Sequence, residues 1–455
     1  MTMAPSVSYS ITARLEVASH GRAVSEITRA VEQAGGVVTA LDVNSGNRGM
    51  LRVDVTCAAT DTAHAESLVA AMAAIPGVSV HKVSDRTFLL HLGGKIEMRS
   101  KVPLRTRDDL SMAYTPGVAR VSLALAANPE DARRLTIKRN SVAVVTDGSA
   151  VLGLGNVGPY AALPVMEGKA ALFKRFANID AWPICLDTQD TDQIVATVAA
   201  IAPGFGGINL EDIAAPRCFE IEERLKNELS IPVMHDDQHG TAIVVLAGLI
   251  NASLVVGKAL EELRVVIVGA GAAGCATARL LLKAGIRDVV VSDSTGIICE
   301  GRSGLTPYKK DLAKLTNRKL LSGEVRNAVK GADALIGVSG PGTITRHLIE
   351  EMAEDPIVFA LANPIPEIKP EDAKLAGAAV VATGRSDYPN QVNNALAFPG
   401  IFRGALDHGV STITDEMKLA AAKKIASLVK KPTADCIIPP VMTPGLVKAV
   451  AGVVR

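Results

Sequence analysis

Apolar positions between residue 8 and about residue 90 alternate with polar ones in YSITARLEV, then recur every three or four residues in AVSEITRAVEQAG. The first period is that of a half-buried strand and the second that of an amphipathic helix. VVTALDVNS and GMLRVDVTCA return to the strand period, AHAESLVAAMAAIPG to the helical one, and VSVHKVSD to strand. Gly or Pro-Gly closes each helix. The order βαββαβ predicts a ferredoxin-like α+β sandwich. A charged, glycine-containing connector, GGKIEMRSKVPLRTRDD, follows and marks a boundary. Beyond it the short apolar runs SVAVVTDG, GFGGINL and SIPVM alternate with helical segments, the pattern of a parallel α/β sheet. A second such series starts at Leu263 and runs through RVVIVG, RDVVVSD, DALIGVSG, PIVFALANP and AAVVATGR; the chain then returns to helix, as in EMKLAAAKKIASLVKK.

The first unit resembles the ACT family of small regulatory domains, on its element order and the stretch around Gly21 and Ile27. The resemblance implies an amino-acid or metabolite effector held between paired copies. The pattern alone equally fits a dimerisation module without a ligand.

With 455 residues, 48% of them hydrophobic and 21% charged, the chain is long enough for several globular domains. A net charge of +1 leaves no electrostatic footprint for nucleic acid or for an anionic membrane surface. Cysteines at 57, 185, 218, 275, 299 and 436 form no C-x-x-C pair, so they read as small buried hydrophobes in a reducing cytoplasm. The amino terminus lacks the basic-then-apolar pattern of a signal peptide. The most apolar run, Thr241 to Val256, is short and broken by Asn251 and Ser253, which favours a buried core helix over a membrane span.

The pattern G-x-G-x-x-G occurs at 153–158 and at 269–274, and context separates the two. Gly269, Gly271 and Gly274, with Ala272 and Ala273, follow the strand LRVVIV and open an unbroken helix. Asp293 ends the next strand, 19 residues past Gly274. This is the arrangement of a Rossmann dinucleotide site: glycines allow close approach, the helix start meets the pyrophosphate, and the acid accepts the ribose hydroxyls. Asp293 favours NAD; Arg302, Lys309 and Lys310 downstream keep NADP possible. The stretch 153–158 precedes Pro159 and Pro164, which oppose an immediate helix, and reads as a close-packed loop beside a site.

GGINLEDIAAP and IPVMHDDQHG share one context: a strand ends, two acids follow, and a helix begins. Ligands of open α/β sheets collect at that edge. Either pair alone fits helix capping. Together Glu211, Asp212, Asp236 and Asp237 fit a hard cation, Mg²⁺ or Mn²⁺. Zinc on His235 and His239 would need one helix spanning both, whereas the helical pattern is sustained only from about Gly240, so the histidines read as structural.

Residues 92 to 455 are similar to malic enzymes of the compact bacterial type, on seven segments in order: AYTPGVA, VTDGSAVLGLGNVGPYAALPVMEGKAALFKRF, NLEDIAAPRCFEIEERL, VMHDDQHGTAIV, VIVGAGAAG, FALANPIPEI and YPNQVNNALAFPGIFRGA. The resemblance implies a division into 1–91 (ACT-like), 92–247 (catalytic and metal-binding), 248–400 (Rossmann, NAD(P)-binding) and 401–455 (helical). It implies oxidation and decarboxylation of malate to pyruvate and CO₂ with reduction of a nicotinamide cofactor. Glu211, Asp212 and Asp237 match the metal ligands, and the cation would act as a Lewis acid toward the substrate oxygens. Lys169 matches the general base, a role for which its pKa has to be lowered, with Asp236 as its relay or charge partner. Tyr114 matches the acid that protonates the enolpyruvate carbon. Asn363 and Asn394 match substrate amides, Asn363 also lying by the cofactor, with Asn393 less firmly placed. Larger malic enzymes carry an arginine where this chain has Ala150, so a bidentate carboxylate grip is absent there.

The same family resemblance admits a malolactic enzyme that retains its cofactor and releases lactate. A two-domain amino-acid dehydrogenase fits the architecture but leaves the four acids unexplained. A catalytically silent metabolite sensor is the reading from another class. A homodimer or higher homo-oligomer is the expected assembly.

Overall fold

The structure is a computed structural model that describes residues 5–18, 23–45 and 50–455. The expected feature at Gly21 lies outside the described residues. The chain divides into two compact units, 1–97 and 98–455, each with its own core.

In the first unit β1 (Ser6–Ala18), β2 (Val37–Ser45), β3 (Met50–Ala59) and β4 (Val78–Asp85) form an antiparallel sheet in the order β2-β3-β1-β4. Helices Ala23–Gln33 and Thr62–Ala73 place Ile27, Val31, Leu68 and Met72 in one core with the inward positions Ala13, Leu15, Val17, Val53, Val55 and Cys57. Alternation along the strands produces this single buried face. The connectivity is βαββαβ, the ferredoxin-like sandwich expected from the periods.

The second unit contains two sheets. β5 (Ser141–Thr146), β6 (Asp180–Cys185), β7 (Gly207–Leu210) and β8 (Val233–His235) run parallel in the order β6-β5-β7-β8. β6 escapes a reading of apolar runs because DAWPIC carries Pro183; as an edge strand it can spare that donor. β9 (Arg264–Val268), β10 (Asp288–Asp293), β11 (Gly296–Ile297), β12 (Ala334–Gly337), β13 (Ile357–Ala360) and β14 (Val380–Thr383) form the second, in the order β11-β10-β9-β12-β13-β14. All its pairs are parallel except β10 with β11. The order reverses between β9 and β12, which opens a crevice at their carboxyl ends.

Two elements depart from the sequence expectation. The helix Gly158–Ala177 starts directly at the first glycine motif: Pro159 occupies its first turn, where a missing N–H costs nothing, and Pro164 is tolerated inside. The helix Asp236–Val255 begins four residues before the apolar period becomes evident, because its first turn is spent on charged chemistry. By length and composition this helix could cross a membrane, but it is mostly buried, with Ala242 to Leu249 packed in a core shared with Val142, Phe173, Val265, Ile267 and Phe359. The expected boundary at 247/248 therefore falls inside a continuous helix.

Candidate active site and its metal centre

The chain passes from β6 back across β5 to β7, so the carboxyl ends of β5 and β7 flank a second crevice. Glu211 and Asp212 follow β7, and Asp236 and Asp237 follow β8 and open the core helix. One oxygen each of Glu211, Asp212 and Asp237 lies within 4.8 Å of the others. The Asp212 N–H donates to Asp237 Oδ2 at 2.8 Å, and Asn209 Nδ2 donates to Glu211 Oε2 at 2.8 Å. Asp212 has φ +53°, a left-handed conformation uncommon for an aspartate and of the kind found where a site fixes the backbone. Its carbonyl accepts from the Ala150 N–H at 2.9 Å, which places the arginine-less position against the acids.

Lys169 reaches this cluster from the helix after β5. Its Nζ lies 2.8 Å from Glu211 Oε1, donates to Asp236 Oδ2, and sits 4.1 Å from the centroid of the Phe398 ring. Lys169, Glu211, Asp212 and Asp236 are all buried. Burial, reinforced by the neighbouring carboxylates, raises the Asp212 carboxyl to about 8 and raises Glu211 and Asp236 against the pull of Lys169. Burial also opposes the charged form of Lys169, but Asp236 and Glu211 outweigh it and its pKa is raised. Burial therefore does not lower Lys169: the four acids about it favour the ammonium, which leaves the neighbouring cation as the expected cause of a lowered pKa.

Buried Asp212 Oδ2 and Asp236 Oδ1 have no hydrogen-bond partner. An orphaned carboxylate oxygen inside a knot of like charges fits a divalent cation, and an all-oxygen donor set fits magnesium or manganese. The histidines do not converge on it. His235 caps the core helix, with Nε2 3.6 Å from Asp237 Oδ2; His239 Nε2 bonds Glu222 Oε2 at 2.9 Å.

The amides come from the other sheet. Asn394 Oδ1 accepts from Thr241 Oγ1 at 3.1 Å and its side chain contributes to lowering Asp236, so Asn394 stands beside the acids. Asn393 caps the short turn that follows it through the Ala395 N–H. Asn363 follows β13, and a Cβ on Gly153 would come 2.4 Å from its carbonyl oxygen, so the first glycine motif is the close-packed loop expected. Tyr114 is not brought to the cluster: it ends the helix Arg107–Ala113 and is 67% exposed.

The dinucleotide motif has the expected shape. A Cβ on Gly269 (φ +120°) would come 2.3 Å from the Val338 carbonyl oxygen, and one on Gly274 would come 1.8 Å from that of Gly269. Gly271 faces open space, in a cavity of about 810 Å³ that is also lined by Asp293, Thr295 and Lys309. Ala272, Ala273 and Gly274 form the first turn of the helix Ala272–Lys283. Asp293 is partly buried, yet Arg302, Lys309 (2.7 Å) and Thr295 donate to it and hold its carboxyl well below the usual range. Lys310 is exposed.

Glu222 is the site residue that the sequence reading missed. It is buried on the helix Arg217–Glu228, and it accepts from the His235 N–H at 2.9 Å, from Gln238, from His239 and from Lys226 at 2.7 Å. Its signal was present: Cys218, Ile221, Glu222 and Leu225 form one helical stripe, and an acid on an apolar stripe marks a buried role.

Two α/β sheets, a dinucleotide crevice and an acid knot with a buried lysine define a metal-dependent, nicotinamide-linked oxidoreductase. Residues 93–226 match the malic enzyme N-terminal domain, and residues 238–447 the malic enzyme NAD-binding domain. The chain is 56% identical over 429 residues, 94% of its own length and 90% of the other's, to the NAD-dependent malic enzyme of Geobacillus stearothermophilus. It is 56% identical over 379 residues, 82% of this chain and 90% of the relative, to the bifunctional malic/malolactic enzyme of Bacillus subtilis. The crystal structure of the NAD-dependent malic enzyme from Thermotoga maritima superposes with a TM-score of 0.79 at 49% identity, over 82% of this chain and 99% of that one. The chain belongs to the malic enzyme family, and its activity is the oxidative decarboxylation of malate with a nicotinamide cofactor.

Proposed function

We propose that Glu211, Asp212 and Asp237 hold a magnesium or manganese ion, and that Lys169 moves the proton of the malate hydroxyl. The observation that carries this reading is the buried knot itself: three carboxylates within 4.8 Å, one with an orphaned oxygen, against a single ammonium. When bound, the cation supplies Lewis acidity toward the substrate oxygens, and the dinucleotide accepts a hydride. With Glu211 held as a ligand of that cation, Lys169 would keep Asp236 as its remaining ion-pair partner and would be the readier to act as a base. Asp236 keeps the proton on Nζ in place between steps, and Phe398 covers the lysine from water. Asn363 and Asn394 orient the substrate at the join of the two sheets.

Tyr114 is the proton donor to the enolpyruvate carbon. Leu104, Leu110, Met112 and Leu123 are exposed along the same segment, an apolar surface of the kind that identical subunits bury, and this supports a homodimer or higher homo-oligomer. In such an assembly the Tyr114 hydroxyl serves an acid knot that it does not reach within its own chain. NAD is the preferred cofactor, with NADP accepted: Asp293 answers the ribose hydroxyls, while Arg302 and Lys309 leave a net positive charge around the 2′ position. The ferredoxin-like unit is an ACT-like regulatory domain for an amino-acid or metabolite effector, and six cysteines without a disulfide suit a cytoplasmic enzyme. Removing residues 1–90 changes effector response more than turnover; unchanged regulation in the shortened chain argues against that role.

The test is malate-dependent reduction of NAD and of NADP with Mn²⁺, with and without a chelator. Full turnover in chelator refutes the metal assignment. The Bacillus subtilis relative supports a second reading, malolactic activity. Free lactate without accumulated reduced cofactor would establish that reading instead.

A further inference from the structure

A separate cavity of about 520 Å³ lies among the helices Arg217–Glu228, Asp236–Val255, Ala272–Lys283, Pro307–Leu315 and Asp415–Ser427. No residue assigned above to metal, substrate or dinucleotide lines it. Its charge is unbalanced: Lys226, Arg279, Lys283 and Lys418 face only two carboxylates, Glu222 and Asp415. Both acids are already engaged. Glu222 takes Lys226, His239 and the His235 N–H, and Asp415 takes Lys283 and, at 2.9 Å, Lys418. Among the described residues Arg279 has neither a hydrogen bond nor an ion pair, and Lys418 is only 5% exposed. Burial and the nearby Lys226 both disfavour the charged form of Lys418, so the cations oppose one another inside a concave site. A guanidinium without a partner beside two ammonium groups is the chemistry that grips two-oxygen anionic groups.

We propose that this cavity binds a small dianion presenting carboxylate or phosphate oxygens, with Arg279 as its forked anchor and Lys283, Lys226 and Lys418 closing around it. The volume suits a metabolite rather than a macromolecule. The floor of the cavity is Gln238 and His239, held by Glu222 in the same helical turn that carries Asp236 and Asp237. An anion that draws Lys226 off Glu222 loosens that turn, so occupancy raises the KM for malate. This coupling rests on the assignment of Asp236 and Asp237 given above; the binding itself does not.

Calorimetric titration of the full chain with inorganic phosphate and, separately, with succinate tests the site, in chelator so that no cation bridges either anion to the acid knot. One site per chain is expected, with affinity cut tenfold or more by Arg279→Gln and, independently, by the more exposed Lys283→Gln. The anion that shows this loss identifies the group recognised. No binding of either anion, or equal binding by wild type and both variants, overturns the proposal. With Mg²⁺ present, a saturating anion should raise the malate KM at least twofold in wild type and not in Arg279→Gln. An unchanged KM overturns the coupling. Absence of malate turnover in wild type alongside normal anion binding would count against the catalytic assignment and not against this cavity.

Discussion

The first turn of the helix Asp236–Val255 faces two buried charge clusters of opposite character. On one side, four carboxylates share Lys169, two of their oxygens lack partners, Glu211 and Asp212 are pushed well above the usual carboxylate value, and Asp236 is raised as well. On the other, Glu222 is equally buried, but His239, Lys226 and a backbone N–H answer it, and its carboxyl is held well below that range. Burial alone therefore does not mark chemistry. A buried acid with its donors in place holds the fold, whereas a set of buried acids short of positive charge is organised around something that arrives later.

Replacing Lys169 should separate the two clusters most sharply. Lys169→Ala is expected to lower kcat/KM by about 10³-fold, the scale of lost proton transfer, while leaving the circular dichroism spectrum unchanged. Near-normal turnover would remove Lys169 from the reaction. Asp237→Asn should weaken Mn²⁺ by about 10²-fold in calorimetric titration, at least the loss seen when even indirect supports of a metal are removed.

Glu222→Gln should act on stability instead, costing about 3 kcal/mol in urea unfolding by leaving Lys226 and His239 without their acid. The stability that Glu222 contributes is present above the unfolded carboxylate range and is lost as pH falls through its lowered value, so the variant should be less sensitive to acid. A variant of wild-type stability with weakened metal binding would show that the two clusters are one.

The smallest effect concerns pH. Because burial and the neighbouring carboxylates raise Asp212 to about 8, a cation is expected to bind there in competition with a proton. Mn²⁺ affinity should climb about tenfold per unit between pH 6 and pH 8, with proton release visible as a dependence of the binding heat on buffer. A flat profile would mean that Asp212 is already ionised without the metal.

Much of this was legible in the residues. Period alone located the strands of the first unit and most of both α/β sheets, and the acids after GGINL and IPVM share a strand-end context that the structure gathers into one knot. Edge strand β6 was hidden by Pro183, and the start of the core helix by a first turn devoted to charge rather than to apolar packing. The raised Lys169 pKa was out of reach because it depends on distances: a lysine 67 positions from Asp236 and 42 from Glu211 gives no sign in the sequence that both acids will touch it. The exposure of Tyr114 is likewise a property of packing, not of the AYTPG that surrounds it.

The unbroken helix through residue 247 also bears on how such a protein can be recombined. A chimera that joins the metal-bearing half of one relative to the dinucleotide half of another at that position would divide a single rod whose side chains interlock with strands of both sheets. Exchange is better placed between Val255 and Arg264, after the helix and ahead of β9, so that the helix and the acids at its tip travel together with the sheet β6-β5-β7-β8 that carries Glu211, Asp212 and Lys169.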